Sequence, residues 1–343
     1  MRILKFLLLS VFFIALNSCS SDSDGNGGTV ESITITPNFT TQATGNAVKF
    51  VVKTNTNKNV TAESVISVEG INEPINEGSF TANEGGSYTI TANYAGFTAT
   101  TTVVFVDAPF AKRVLIEDYT GTWCGYCPRV SQGIDLVMAQ TNYAVPVAIH
   151  RGQDPYNFAG ASVLEDLIGL QGYPTAMLNR LTDWNYPEPS NVAQVVALTQ
   201  GDVAKVGLAM KATVSGGNID LNIKVQYAET MTDTKLVVYV LENGLIYNQV
   251  NYTSFFGGGS TIVGFEHNHV LRACLTNIMG DDIPNSNSTN NGSFDKNFTV
   301  PVPANIANSA NLEIVAFVVG ADKKALNVRK VVNGEDQISI LNQ

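Results

Sequence analysis

The chain has 343 residues, too many for one compact core, and its length favours two or three domains. It carries a net charge of −10 with only 15% charged residues, and losing Arg2 and Lys5 from its acid-free first 18 residues would leave −12. An acidic surface repels phosphate backbones, and no basic cluster overrides this, so nucleic acid is excluded as a partner.

The N-terminus reads as an export signal. Arg2 and Lys5 are followed by an apolar run from Phe6 to Leu16, too short to span a bilayer. The run ends in Leu16-Asn17-Ser18-Cys19, which resembles a bacterial lipobox with an imperfect Asn17. Residues 1–18 are therefore expected to be a signal peptide, and Cys19 the lipidated residue that anchors the chain to a membrane without a transmembrane helix. A plain secretory signal with an incidental Cys is the alternative. Residues 19–28, rich in Ser, Asp and Gly, form a polar flexible tether. Their acidic residues resemble the surface-export signal of Bacteroidetes lipoproteins. The expected location is the cell outer membrane, on its periplasmic or its surface face.

Residues 29–108 alternate apolar and polar in short runs such as Val30 to Ile35 and Ser87 to Ala92, the period of half-buried strands. This pattern resembles a bacterial immunoglobulin-like β-sandwich. In residues 109–201 the apolar strands Val114 to Ile116, Val145 to Ile149 and Ala176 to Leu178 alternate with helical stretches, which argues for a βαβ layout. Residues 202–343 return to strands, with seven segments between Lys205 and Val332 separated by Gly, Asn and Pro turns, and suggest a second sandwich. The expected architecture is an α/β central domain flanked by two all-β sandwich domains.

Between the first strand and helix of the middle region lies Trp123-Cys124-Gly125-Tyr126-Cys127-Pro128. Free N–H groups and the dipole at a helix start stabilise an anion, so a Cys124 that caps the helix has its thiolate favoured. Cys127, one turn on, is within reach to resolve a mixed disulfide. Pro128 is tolerated because the first turn has no N–H partner to lose. A zinc site uses the same spacing but needs further ligands, and only Cys274, His150, His267 and His269 remain. A purely structural disulfide is the other alternative.

The run Val114 to Pro128 resembles the active-site strand, turn and helix start of thioredoxins, and Ile168 to Thr175 resembles the segment that carries their cis-proline. The resemblance implies a thioredoxin-like fold for residues 109–201. It implies that Cys124 is the attacking nucleophile, Cys127 the resolving thiol and Asp118 the buried carboxylate that assists proton removal. It further implies that Pro174 is cis, that Tyr173 docks substrate through its backbone and that Trp123 offers an apolar contact surface. Over roughly residues 110–335 the chain also resembles the outer-membrane-protein-28-related lipoproteins of Bacteroidetes. The run ending at Arg129, Tyr173-Pro174-Thr175 leading to Asn179-Arg180, and Glu266 to Arg272 carry that likeness.

His150 ends a strand beside the cysteine strand, where a redox role and a plain strand-end histidine are both open. His267 and His269, two apart, would share a face of a strand, but no third ligand is evident and no metal site is assigned. Cys274 lies on an apolar segment and is expected to be a buried, inert thiol. Gly257-Gly258-Gly259 lacks the Lys and Ser or Thr of a phosphate-binding loop. The expected function is thiol–disulfide exchange with disulfide- or thiol-containing envelope proteins, an enzyme activity that needs no organic cofactor. The alternative is an outer-membrane binding or adhesion lipoprotein that uses the fold as a scaffold.

Overall fold

The computed structural model describes residues 29–71 and 75–341. The export signal, the lipidation residue Cys19 and the tether lie outside the described residues.

The alternating N-terminal sequence forms seven strands: β1 (Ile33–Pro37), β2 (Thr41–Ala43), β3 (Ala47–Thr54), β4 (Val65–Val68), β5 (Ser79–Thr81), β6 (Gly86–Tyr94) and β7 (Phe97–Val106). They make two sheets, in the orders β1-β3-β5 and β2-β7-β6-β4. Strand β3 shows the logic, with Val48, Phe50 and Val52 buried and Lys49, Val51 and Lys53 exposed. The inward residues meet Ile90, Val103 and Phe105 of the other sheet in one core.

The chain then forms β8 (Val114–Thr120), α1 (Pro128–Met138), β9 (Ala144–His150), α2 (Ala161–Ile168), β10 (Thr175–Leu178), β11 (Thr182–Asp183) and α3 (Val192–Leu198). Strands β12 (Val206–Ser215), β13 (Asn218–Tyr227), β14 (Lys235–Glu242), β15 (Leu245–Val250), β16 (Thr261–His267) and β17 (Val270–Cys274) follow. The last strands are β18 (Asp281–Asp282), β19 (Ser293–Pro301), β20 (Leu312–Val319) and β21 (Ala325–Val332).

The expected α/β thioredoxin-like domain between two separate sandwiches is not what these elements build. The described chain is mainly β, with twenty-one strands against three short α-helices. Strands β8 to β11 are one end of a nine-stranded sheet ordered β11-β10-β8-β9-β17-β14-β20-β21, with β18 added on β14. β8 and β9 run parallel across seven register pairs, and β9 passes the sheet on to β17 through Val270 opposite Ala148. Because β8, β14 and β20 are covered on both faces, they read as near-continuous apolar runs.

The packing explains why this sheet is not divided. On one face a single core runs from Leu115, Tyr119 and Val147 through Val237 and Tyr239 to Val315 and Phe317, capped by Leu164 of α2. On the other face α1 and α3 cover Val114 and Ile116. There the sheet β12-β13-β19 covers Val238, Ile314 and Val318. Splitting the sheet at the β9–β17 junction would expose a core that neither half can close, and burial of apolar area is the dominant folding term. Among the described residues no helix is long and apolar enough to cross a membrane.

Candidate functional site

The cysteine loop follows the C-terminal end of β8. The Cys124 N–H donates to Gly121 O (3.0 Å), and the Cys127 N–H donates to Cys124 O (3.3 Å), winding the loop into α1. Cys124 and Cys127 form a disulfide with their Cα atoms 5.4 Å apart. The N-cap of α1 is Cys127, with Pro128 at N1, so Cys124 does not cap the helix as expected but sits in the turn before it. Both half-cystines are nearly covered, at 4% and 1% exposure, while the flanking Trp123 and Tyr126 are 42% and 54% exposed.

What covers the loop went unread in the sequence. The end of β15 and the residues just after it cross the loop as a strap. The Gln249 side-chain amide donates to Cys124 O (2.9 Å) and Gly121 O (3.2 Å). The Val250 N–H donates to Thr122 O (2.9 Å), and the Tyr252 N–H donates to Gly125 O (2.7 Å). Gly125 permits this approach: a Cβ there would stand 2.2 Å from the Tyr252 ring. Tyr252 meets Tyr126 edge-on at 5.6 Å. The Gly257-Gly258-Gly259 loop lies between β15 and β16, all three glycines at positive φ, and the two strands pair as a hairpin. Gly-rich residues between two alternating segments were the available signal.

Around the loop the other expected residues are placed as follows. Trp123 donates its indole N–H to Arg151 O (2.7 Å) and meets the Tyr173 ring at 5.2 Å. The Tyr173–Pro174 peptide is cis, and the Tyr173 hydroxyl donates to Glu165. His150 makes no hydrogen bond to Cys124. It bonds through Nδ1 to Asp154 (3.0 Å), and the same Asp154 oxygen accepts the Thr122 N–H (2.6 Å), so His150 reaches the loop at one remove. The two histidines expected to share a face diverge. His267 ends β16 and packs its ring on His150 at 5.3 Å. His269 lies beyond the strand at positive φ and pairs with Glu313 (2.9 Å). Cys274 is a free, partly buried thiol whose Sγ donates to Thr276 O, and burial pushes its pKa up.

Asp118 is buried on β8, opposite Ala148 and Ala176, and its Oδ1 has no hydrogen-bond partner. Burial, reinforced by nearby Glu188 and opposed by Arg129, holds its pKa well above the usual carboxylate range. The unfolded chain releases this proton at a lower pH than the folded one, so stability is lost as pH rises above the ordinary value of 3.8. Asp118→Asn is therefore expected to gain stability over the parent as pH is raised from 5 to 8, read as the difference in Tm. A constant difference across that range would refute the assignment.

The family model "Outer membrane protein Omp28" matches residues 161–337, just over half of the chain. The chain belongs to the Omp28 outer membrane protein family. Its location is accordingly the outer membrane. The Omp28 match begins after the disulfide and so does not include Cys124 or Cys127. Among solved structures, HBP35 of Porphyromonas gingivalis is similar at TM-score 0.54 and 17% identity, covering 67% of this Omp28-family chain and 78% of its own. That likeness concerns the fold alone. Domains 4–9 of the surface layer protein SbsC align over 89% of this chain and 51% of theirs, at 11% identity and a TM-score of 0.20, too low to bear on the fold. No curated protein matches the chain. Neither the family match nor the HBP35 likeness supports a thioredoxin-like domain in this Omp28-family chain.

Proposed function

We propose that this outer-membrane protein exchanges disulfides with partner proteins of the cell envelope through Cys124 and Cys127, tethered by lipid on Cys19. The observation that carries the reading is the closed Cys124–Cys127 bond at a strand-to-helix junction, rimmed by exposed aromatic side chains. In the reduced chain the Cys124 thiolate attacks a partner disulfide, and one partner sulfur leaves as a thiolate. Cys127 then gives up its proton and attacks Cys124 Sγ, which closes the intramolecular bond and releases the partner as a dithiol. Two electrons pass to the partner, and the reverse sequence oxidises it. Asp118, buried on β8 with its pKa held up by burial, takes the Cys127 proton in its carboxylate form in this scheme and passes it on to the departing partner thiolate. Trp123 and the Tyr173–Pro174 segment form the docking edge.

The test uses the full chain, a disulfide-bonded protein substrate and excess dithiol. Cys124→Ser is expected to lower the exchange rate at least a hundredfold to the uncatalysed background, and a parent-like rate refutes the proposal. Cys127→Ser is expected to hold thiol-sensitive adducts on Cys124 after incubation with an envelope extract.

A second reading rests on the family match, which stops short of the cysteines, and on the strap that covers them. In it the chain is a binding or adhesion protein of the outer membrane, built on its β framework, and the disulfide braces the loop. Closing so short a loop stabilises a fold by only about 2 kcal/mol in the chain-entropy account. Partner capture that persists in the Cys124→Ser/Cys127→Ser double variant favours this reading.

A further inference from the structure

A cavity of about 610 Å³ lies between α1, the β8–β9 edge and the β15–β16 hairpin. Its size falls within the roughly 300–1,000 Å³ of small-molecule sites. Two polar side chains that line it are more than nine-tenths buried and carry an atom with no partner: Asp118 Oδ1 and His267 Nε2. Native proteins rarely leave such atoms unmatched, and two in one cavity mark a place where a ligand completes the bonding. The apolar part of the lining joins the aliphatic Ile134, Met138, Pro146 and Ile262 to two aromatic side chains. Phe256 and Phe265 meet at 5.1 Å, and Phe265 meets the His267 ring at 4.9 Å, a continuous edge-to-face row. Ile134 of α1 also lines the cavity.

The charge state of these groups selects the ligand. Burial, with His150 adding to it, pushes the His267 pKa down to about 4, so the ring is neutral at pH 7. Nε2 has no partner, and with the proton on the other ring nitrogen it is a bare acceptor that wants a donor. Burial holds the Asp118 pKa up as well. Exposed Asp135 and Glu266 line the same cavity with negative charge, which disfavours an anion.

We propose that this cavity binds a small uncharged aromatic alcohol of the phenol class, its hydroxyl donating to His267 Nε2 and its ring seated against the Phe256–Phe265 row. Edge-to-face contact with that row requires an aromatic body, and the buried acceptor requires a donor. The inference does not rest on disulfide exchange, since the cysteines do not line the cavity.

The experiment is calorimetric titration of the full chain at pH 7 with 2-naphthol, 2-methoxynaphthalene, which lacks the donor, and 2-naphthoate, which is an anion. Saturable binding of 2-naphthol is expected, with the other two at least tenfold weaker. His267→Phe is expected to bring 2-naphthol down to the affinity of the methoxy compound. Ile134→Trp, which fills the cavity, is expected to abolish binding. Absence of saturable 2-naphthol binding overturns the proposal, as does equal affinity for the methoxy compound or unchanged binding in Ile134→Trp. Should His267→Phe fail to fold, the ligand series on the parent and the Ile134→Trp variant decide the matter alone.

Discussion

Arg180→Met is expected to destabilise the chain by about 3–5 kcal/mol, the usual cost of removing one partner from a buried ion pair. Arg180 is completely buried, a rare state for a guanidinium. It lies 3.6 Å from Glu117 on β8, donates to the Tyr239 hydroxyl on β14 (2.8 Å) and to Ile278 O (3.0 Å), and rests over the Phe317 ring on β20. It thus ties three strands of the nine-stranded sheet together from one side. Glu117 is wholly buried, and burial already pushes its pKa up, with Arg180 the main influence that opposes this. Without Arg180 the Glu117 carboxyl must be buried unpaired or take up a proton. The double variant Glu117→Gln/Arg180→Met removes the stranded charge and is expected to recover the larger part of the loss. Urea unfolding followed by tryptophan fluorescence checks this. One of the two tryptophans, Trp184, lies in the core beneath α1 and α3. The single variant is expected to shift the midpoint down by roughly 1–2 M. A midpoint within experimental scatter of the parent would mean that Glu117 finds another partner.

Arg180 also marks where the sequence stops being legible. Strands such as β3, β14 and β20 declare themselves by local period and apolar content, and the Cys-x-x-Cys followed by Pro128 declares a strand–turn–helix junction. Which strand pairs with which is not a local property. The contact that joins β9 to β17 comes down to one register pair, Ala148 with Val270, which leaves no pattern in either segment. A sequence reader therefore sees a βαβ unit followed by a sandwich, where the chain builds one sheet through both. The buried Glu117 and Arg180 look like ordinary surface charges until the sheet encloses them. The strap over the disulfide escaped for a related reason. Ile246 to Tyr252 is polar and half exposed, and its value lies in backbone hydrogen bonds to a loop more than 120 residues away. At the site itself Cys127 rather than Cys124 caps the helix, and His267 and His269 diverge instead of sharing a face, with His267 packed on His150.

Acid is expected to unfold the chain in two successive windows, each worth about 3 kcal/mol at 1.36 kcal/mol per pKa unit. The first belongs to His267, whose pKa is lowered from 6.5 to about 4 by burial and by His150, against the opposing pull of Asp154 and Tyr247. Between those values the unfolded chain binds a proton that the folded chain refuses, so stability falls as pH drops from 6.5 to 4. The second belongs to Glu313, held at about 2 against an ordinary 4.5 by His269, Lys330 and the Asn243 amide, which together outweigh its burial. Its contribution is complete above pH 4.5 and is lost as pH falls toward 2. Asp118 and Glu117, whose pKa values are raised, act in the opposite sense and soften the fall. The two windows are separable by mutation. In His267→Phe the decline between pH 6.5 and 4 is expected to flatten while the lower one remains, and in Glu313→Gln the reverse. Denaturant midpoints measured every half pH unit resolve them. A His267→Phe variant whose slope from pH 6.5 to 4 equals that of the parent would show that His267 accepts its proton in the folded state. The neutral-ring acceptor required by the phenol site would then be lost with it.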